Sequence, residues 1–195
     1  MKLALVLAFL SMTAVGCAST FGEEDVDGPQ VAGGGIDPQS SVHLKGGKSA
    51  SPAFTDNGLS LSSTGALSGL GNGDVIINLT AVGNPIATCT NPAGATQPPG
   101  QNPAEVTLTG TQSIPSSEIK NGTVSFSVGS SAPDSPVAGA PGCPNKQWAE
   151  AIVDVSFTSA SITVSQNGAQ VLSLSCTFSP STSNGPVPSG TVTCK

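Results

Sequence analysis

The chain has no arginine, no tyrosine and a single histidine in 195 residues. Only 9% of its side chains are charged, against about 25% in an average soluble protein. All six basic residues are lysines, and the net charge is −6. An acidic chain without arginine repels phosphate. That argues against nucleic-acid partners and against an electrostatic grip on anionic lipid. One histidine leaves one imidazole for any Ser-His-Asp or Cys-His arrangement. Long apolar runs are missing apart from residues 3–10, and no later segment of useful length repeats with a helical period. Ser, Thr, Gly and Pro fill the composition instead, with 24 glycines and 16 prolines. A polar but uncharged surface of this kind is common in exported β-rich proteins and unusual in cytosolic enzymes. The length fits one domain with a tail.

The apolar run belongs to a leader. Met1-Lys2 is a positive start, residues 3–10 form the apolar stretch, and small residues lead to Gly16-Cys17. This is the layout of a signal peptide over residues 1–16, too short to span a membrane permanently. Removing it also removes Lys2, which leaves five lysines against twelve acids, or −7. Cys89, Cys143, Cys176 and Cys194 make an even set, and Cys17 is left over. An even set in an oxidising compartment reads as disulfides. A free thiol at the tip of an exported chain would be a liability.

Ala14-Val15-Gly16-Cys17 resembles the lipobox of bacterial lipoproteins, with Ala14 standing where leucine is most frequent. The resemblance covers residues 1–18. It implies that the Cys17 thiol receives a diacylglyceryl group, that cleavage follows, and that the new N-terminus is acylated again. Several acyl chains hold a membrane stably where one would be marginal. In such lipoproteins aspartate after the cysteine often marks retention in the inner membrane. The residue here is Ala18, which implies the outer membrane if the host has one.

Residues 18–41, "ASTFGEEDVDGPQVAGGGIDPQSS", cluster four acids before a triple glycine. With no apolar periodicity, residues 17–41 read as the lipidated cysteine and a flexible, acidic and Gly-rich tether spanning ~25–30 Å. From Val42 to Lys195 the period becomes two. Val75, Ile77, Leu79 and Ala81 alternate with Ile76, Asn78, Thr80 and Val82. Val124, Phe126 and Val128 alternate with serines, as do Leu172, Leu174, Cys176 and Phe178 with serines and a threonine. Ala151, Val153, Val155 and Phe157 are expected to face away from Glu150, Ile152 and Asp154. Each pattern predicts a strand with one buried face. Five Asn-Gly pairs, at 57, 72, 121, 167 and 184, mark turns, because both residues tolerate positive φ. Gln166-Asn167-Gly168-Ala169 is expected to close a tight hairpin, and residues 116–120 a short helical turn. Eight to ten short strands and no helix predict an all-β antiparallel sandwich over 42–195, immunoglobulin-like in general architecture. Phe54, Phe126, Phe157 and Phe178 are assigned to its core.

Four cysteines allow three pairings. Cys176 and Cys194 lie on the last two predicted strands, and Cys89 and Cys143 each border a Pro-rich loop, "TNPAGATQPPGQNP" and "GCPNKQW". The favoured pairs are Cys89–Cys143 and Cys176–Cys194. Zinc sites need close pairs such as C-x₂-C, and these spacings are far longer.

No motif carries convincing chemistry. His43 sits in "SVHLK" at the start of the domain and reads as a surface or strand-edge histidine. Ser117-Glu118-Ile119-Lys120 has the S-x-x-K spacing that lets a lysine activate a serine. The companion S-D-N and K-T-G motifs are missing, and a Ser-rich chain produces the match by chance. Gly69-Leu70-Gly71-Asn72-Gly73-Asp74 precedes a strand rather than a helix, so it is not a dinucleotide loop. It reads as a glycine turn in which Asp74 is a turn cap or a weak Ca²⁺ candidate. Asn78-Leu79-Thr80 and Asn121-Gly122-Thr123 match the glycosylation sequon, which means little in a bacterial host. Trp148, the sole tryptophan, is expected to plug one end of the sandwich beside a disulfide. Its alternative role is a sugar-stacking ligand contact.

"FTDNGLSLSSTGALSGLGNGDVIINLTA", "IPSSEIKNG" and "CPNKQW" resemble a set of exported bacterial β-proteins without an established activity. That resemblance spans most of 42–195 and carries over no functional residue. The sequence therefore points to an exported cell-envelope lipoprotein held to a membrane by its N-terminal lipid. It presents a non-catalytic sandwich with a surface, binding or structural role, without cofactor or metal. A protein or polysaccharide is the expected kind of partner, nucleic acid is not, and a hydrolase is the weakest alternative.

Overall fold

The computed structural model describes residues 41–47 and 50–195. The leader, Cys17 and the tether up to residue 40 lie outside the described residues. In chain order the strands are β1 (His43–Leu44), β2 (Ala53–Asp56), β3 (Leu61–Ser68), β4 (Val75–Thr90), β5 (Thr96–Gln97), β6 (Val106–Ile114), β7 (Thr123–Gly129), β8 (Ala149–Gln166), β9 (Ala169–Phe178), β10 (Gly185–Pro186) and β11 (Val192–Cys194). The expected helical turn is a 3-10 turn at Ser116–Glu118. Three of the eleven strands have only two residues, which is why the sequence pattern counted fewer.

Every pairing is antiparallel, and the strands form two sheets. In the first, β3 pairs along one edge with β7 and along the other with β2 and β1, while β10 extends β2. In the second the order is β11-β9-β8-β4, and the far edge of β4 carries β6 and then β5. The expected all-β sandwich is therefore present, with both disulfides, Cys89–Cys143 and Cys176–Cys194. The inner faces hold the four assigned phenylalanines, all buried. Phe54 of the first sheet meets Phe178 of the second edge-on at 5.1 Å, the arrangement that ring quadrupoles favour.

β4 keeps strict alternation over its 16 residues, but its partner β8 does not, and the expected phase of β8 is corrected. Ile86 pairs with Asp154 and Ala87 with Ile152, so Val153 is extra; Val82 pairs with Ser159 and Gly83 with Phe157, so Thr158 is extra. Each bulge reverses which residues face inward. Val155 and Phe157 are buried as expected, but Val153 is 53% exposed while Glu150 and Ile152 are buried. Gly83 sits at the second bulge, where a Cβ would lie 2.7 Å from Val155 Cγ1 and 2.9 Å from the Ser156 carbonyl. Only a residue without a side chain fits that approach.

Two of the five Asn-Gly pairs form turns in which both residues have positive φ. These are Asn167 (54°) with Gly168 (80°) in the β8–β9 hairpin, and Asn121 (51°) with Gly122 (68°) before β7. In the other three pairs only the glycine is left-handed. The two sheets also meet side by side. Ser131 N–H donates to the Thr109 carbonyl at 2.8 Å, and Ser127 N–H to Gln112 Oε1 at 2.9 Å. A Cβ on Gly110 would fall 1.7 Å from the Gly129 carbonyl oxygen, so β6 approaches the end of β7 closely because position 110 is bare.

Candidate functional site

The residues singled out from sequence do not assemble. His43 is exposed, and its Nδ1–H donates to the Ser41 carbonyl at 2.7 Å. Lys120 Nζ donates to the Ser117 backbone carbonyl at 2.8 Å rather than to a serine hydroxyl, and both residues are exposed. Asp74 Oδ1 accepts from Ser116 N–H at 2.8 Å and so caps the 3-10 turn. The glycine-rich turn before it is held by Gln166, which accepts from Gly71 N–H and donates to the Gly71 and Gly73 carbonyls. Trp148 is half-buried and is not among the side chains of the core, so it does not plug the sandwich. Cys17 lies outside the described residues.

Sequence reasoning placed Glu150 on the outer face of its strand. The bulge at Val153 turns it inward, where it is 0% exposed opposite Cys89. Its Oε2 accepts from Gly142 N–H at 3.0 Å, and its Oε1 has no hydrogen-bond partner among the described residues. A buried polar atom without a partner costs about 1–3 kcal/mol, so it calls for a physical reason. Glu150 borders a depression of about 230 Å³ together with Gln101, Asn102, Pro103, Pro141 and Gly142. Pro103 also lines a wider, more apolar groove of about 430 Å³ with Val106, Leu108, Val137 and Ile152. Trp148 lines neither. The Cys89–Cys143 bond pins the loop beside this recess, since Cys143 follows Gly142 and Cys89 lies across from Glu150.

A second buried acid has a different environment. Asp56 is 2% exposed; its Oδ1 accepts from Gly58 N–H at 2.9 Å and its Oδ2 from the Thr182 hydroxyl at 2.5 Å. That hydroxyl accepts in turn from Phe157 N–H at 2.9 Å. The chain Asp56–Thr182–Phe157 thus links the two sheets. Burial pushes the Asp56 carboxyl above its ordinary 3.8; the two donors pull it back, and the neighbouring charge of Asp154 adds to the rise. Both Asp56 oxygens are satisfied, so this cluster reads as a structural clamp.

The outer face of the second sheet is unusual in composition. Register places Thr111, Asn78, Thr163 and Ser173 in one row across β6, β4, β8 and β9, and Thr109, Thr80, Ser161 and Ser175 in the next. Neighbours in such a lattice lie about 4.8 Å apart across strands and about 6.8 Å along them. The paired segments 75–83, 106–114, 159–166 and 169–178 contain no Asp, Glu, Lys or Arg. Thr111 Oγ1 donates to Asn78 Oδ1 at 2.8 Å within its row. The sequence contained this array as alternating Ser and Thr, but only the register lines it up.

No protein-family model matches the chain, and no curated protein or solved structure gives a significant match.

Proposed function

We propose that the chain is an exported envelope lipoprotein whose sandwich binds rather than catalyses. The observation that carries this reading is the pairing of the four domain cysteines into two disulfides. It leaves Cys17 as the odd thiol directly after an apolar leader. Disulfides of this kind belong to an oxidising compartment, and a lipid-bearing Cys17 accounts for the fifth cysteine. Intact-mass measurement of the protein from its host membrane should find an N-terminal Cys17 carrying acyl chains. Cys17→Ser should move the protein to the soluble fraction. An unmodified N-terminus at any other residue would refute the anchor.

The charge-free hydroxyl rows favour one class of partner, a neutral polysaccharide. The four paired segments bring no charged side chain to these rows, Lys195 standing opposite Ser175 at one end, whereas sugar hydroxyls can donate to and accept from Ser and Thr all along them. The full chain should co-sediment with at least one of insoluble cellulose, chitin or amylose. The double substitution Thr80→Glu, Ser161→Glu should weaken retention at least tenfold. Thr80 and Ser161 stand directly opposite each other, so the two glutamates repel and should cost about 0.2–1 kcal/mol; the urea midpoint of the variant checks that the fold persists. No retention on any of the three, or equal retention of the variant, would count against this partner.

A further inference from the structure

We infer that the Glu150 recess is a calcium site. Glu150 is fully buried, and among the described residues its side chain has one polar contact, the Gly142 N–H on Oε2. Donors do border the recess, in the Gln101 and Asn102 amides and the Ala104 N–H, but none of them bonds Oε1. Pro103 and Pro141 have no N–H, and Gly142 N–H is already used. Oxygen atoms gather beside Oε1 as well. The Gln101 carbonyl and Glu150 Oε1 both converge on Gly142, lying 2.5 Å and 2.7 Å from where a Cβ there would be. Asn102 borders the same recess, its Oδ1 accepting from Ala87 N–H and keeping a second lone pair.

A carboxylate, a main-chain carbonyl and an amide oxygen, with water for the rest, form a hard, all-oxygen donor set. Such a set suits Ca²⁺, which accepts irregular geometry, better than Mg²⁺, which demands a near-octahedral cage and gives up water reluctantly. Zinc would want nitrogen or sulfur ligands. No group of three His, Cys, Asp or Glu side chains converges among the described residues, so this site has one carboxylate. Its affinity belongs in the weak range of extracellular modules, about 0.1–1 mM. The recess is also pre-organised, because Cys143 holds the residue after Gly142 to β4 through its disulfide.

The chain's one tryptophan makes the test direct. Trp148 is two residues before Glu150, about 7 Å along an extended chain, close enough to sensitise Tb³⁺ bound at the recess. Full-length protein titrated with Tb³⁺ and excited at tryptophan should give saturable lanthanide emission, displaced by Ca²⁺ with a midpoint of about 0.1–1 mM. Trp148→Phe should abolish the emission but keep a Ca²⁺-dependent rise in Tm. Glu150→Gln should weaken Tb³⁺ binding at least tenfold, and Asp74→Asn should leave it unchanged. If Glu150→Gln fails to fold, the wild-type emission and the Ca²⁺-dependent Tm of Trp148→Phe still decide the matter. Absent emission, emission that Ca²⁺ does not displace, a Tm of Trp148→Phe indifferent to Ca²⁺, full binding by a folded Glu150→Gln, or loss on Asp74→Asn would each overturn the assignment.

Discussion

Replacing Cys89 and Cys143 together with alanine should lower the unfolding free energy by about 4 kcal/mol. The bond joins residues separated by 54 positions, and cross-linking removes more freedom from the unfolded chain when the loop is longer. The Cys176–Cys194 bond spans 18 positions, and its double replacement should cost about 3 kcal/mol. Local structure points the same way. Cys176 and Cys194 sit opposite each other in the β9–β11 ladder, which holds them together even when reduced. Cys89 of β4 is tied instead to a loop held by isolated bonds, such as Cys143 N–H to the Ala140 carbonyl. Losing that tie should also loosen the wall of the Glu150 recess. Urea titrations of the two double variants give the comparison. A larger loss from the 176–194 pair would show that native contacts, not loop length, set the order.

Replacing Asp56 with alanine should cost about 3 kcal/mol, because two buried donors lose their acceptor at once. Gly58 N–H and the Thr182 hydroxyl both point at this carboxyl, and each buried donor left unpaired costs about 1–3 kcal/mol. Asp56→Asn keeps the volume but presents an N–H₂ to one of those donors, so it should cost less than alanine and still be destabilising. The pH dependence follows from the same burial. Asp56 titrates above 3.8 in the folded chain, chiefly through desolvation. Between that ordinary value and the raised one, the folded state holds a proton that the unfolded state has released. The contribution of this group to stability is therefore complete below 3.8 and declines as pH rises through the folded value. Asp154, the neighbouring charge, raises the Asp56 value further, so Asp154→Asn should narrow the window. Denaturation midpoints across pH 3 to 7 should show that decline in the wild type and a flatter profile in Asp56→Asn. A wild-type profile that climbs through the same interval would contradict the desolvation argument.

The all-β class, the four core phenylalanines and the β8–β9 hairpin were legible because each depends on neighbours in sequence. Val75, Ile77, Leu79 and Ala81 alternate with polar or exposed residues, and a strand needs nothing more to define a buried face. Asn167-Gly168 closes its turn because two adjacent residues tolerate positive φ. The disulfide pairs were accessible for a related reason, since each cysteine stood on a recognisable strand or loop. The low charge of the whole chain was visible in the same way, as an absence.

Glu150 was misread because an alternating pattern carries no phase once a bulge intervenes. Val153 and Thr158 each add one residue against a partner strand more than 60 positions earlier in the chain. Nothing local to residues 149–166 announces that mismatch. The register with β4 turned an expected surface acid into a buried one and brought it to Gly142 and Gln101. The Asp56–Thr182 clamp, spanning 126 positions, and the hydroxyl rows across four strands arose in the same way. Side-chain period and turn chemistry are short-range properties and can be read along the chain. Which oxygens converge depends on strand register and sheet packing, and those are settled only when distant segments compete for the same core.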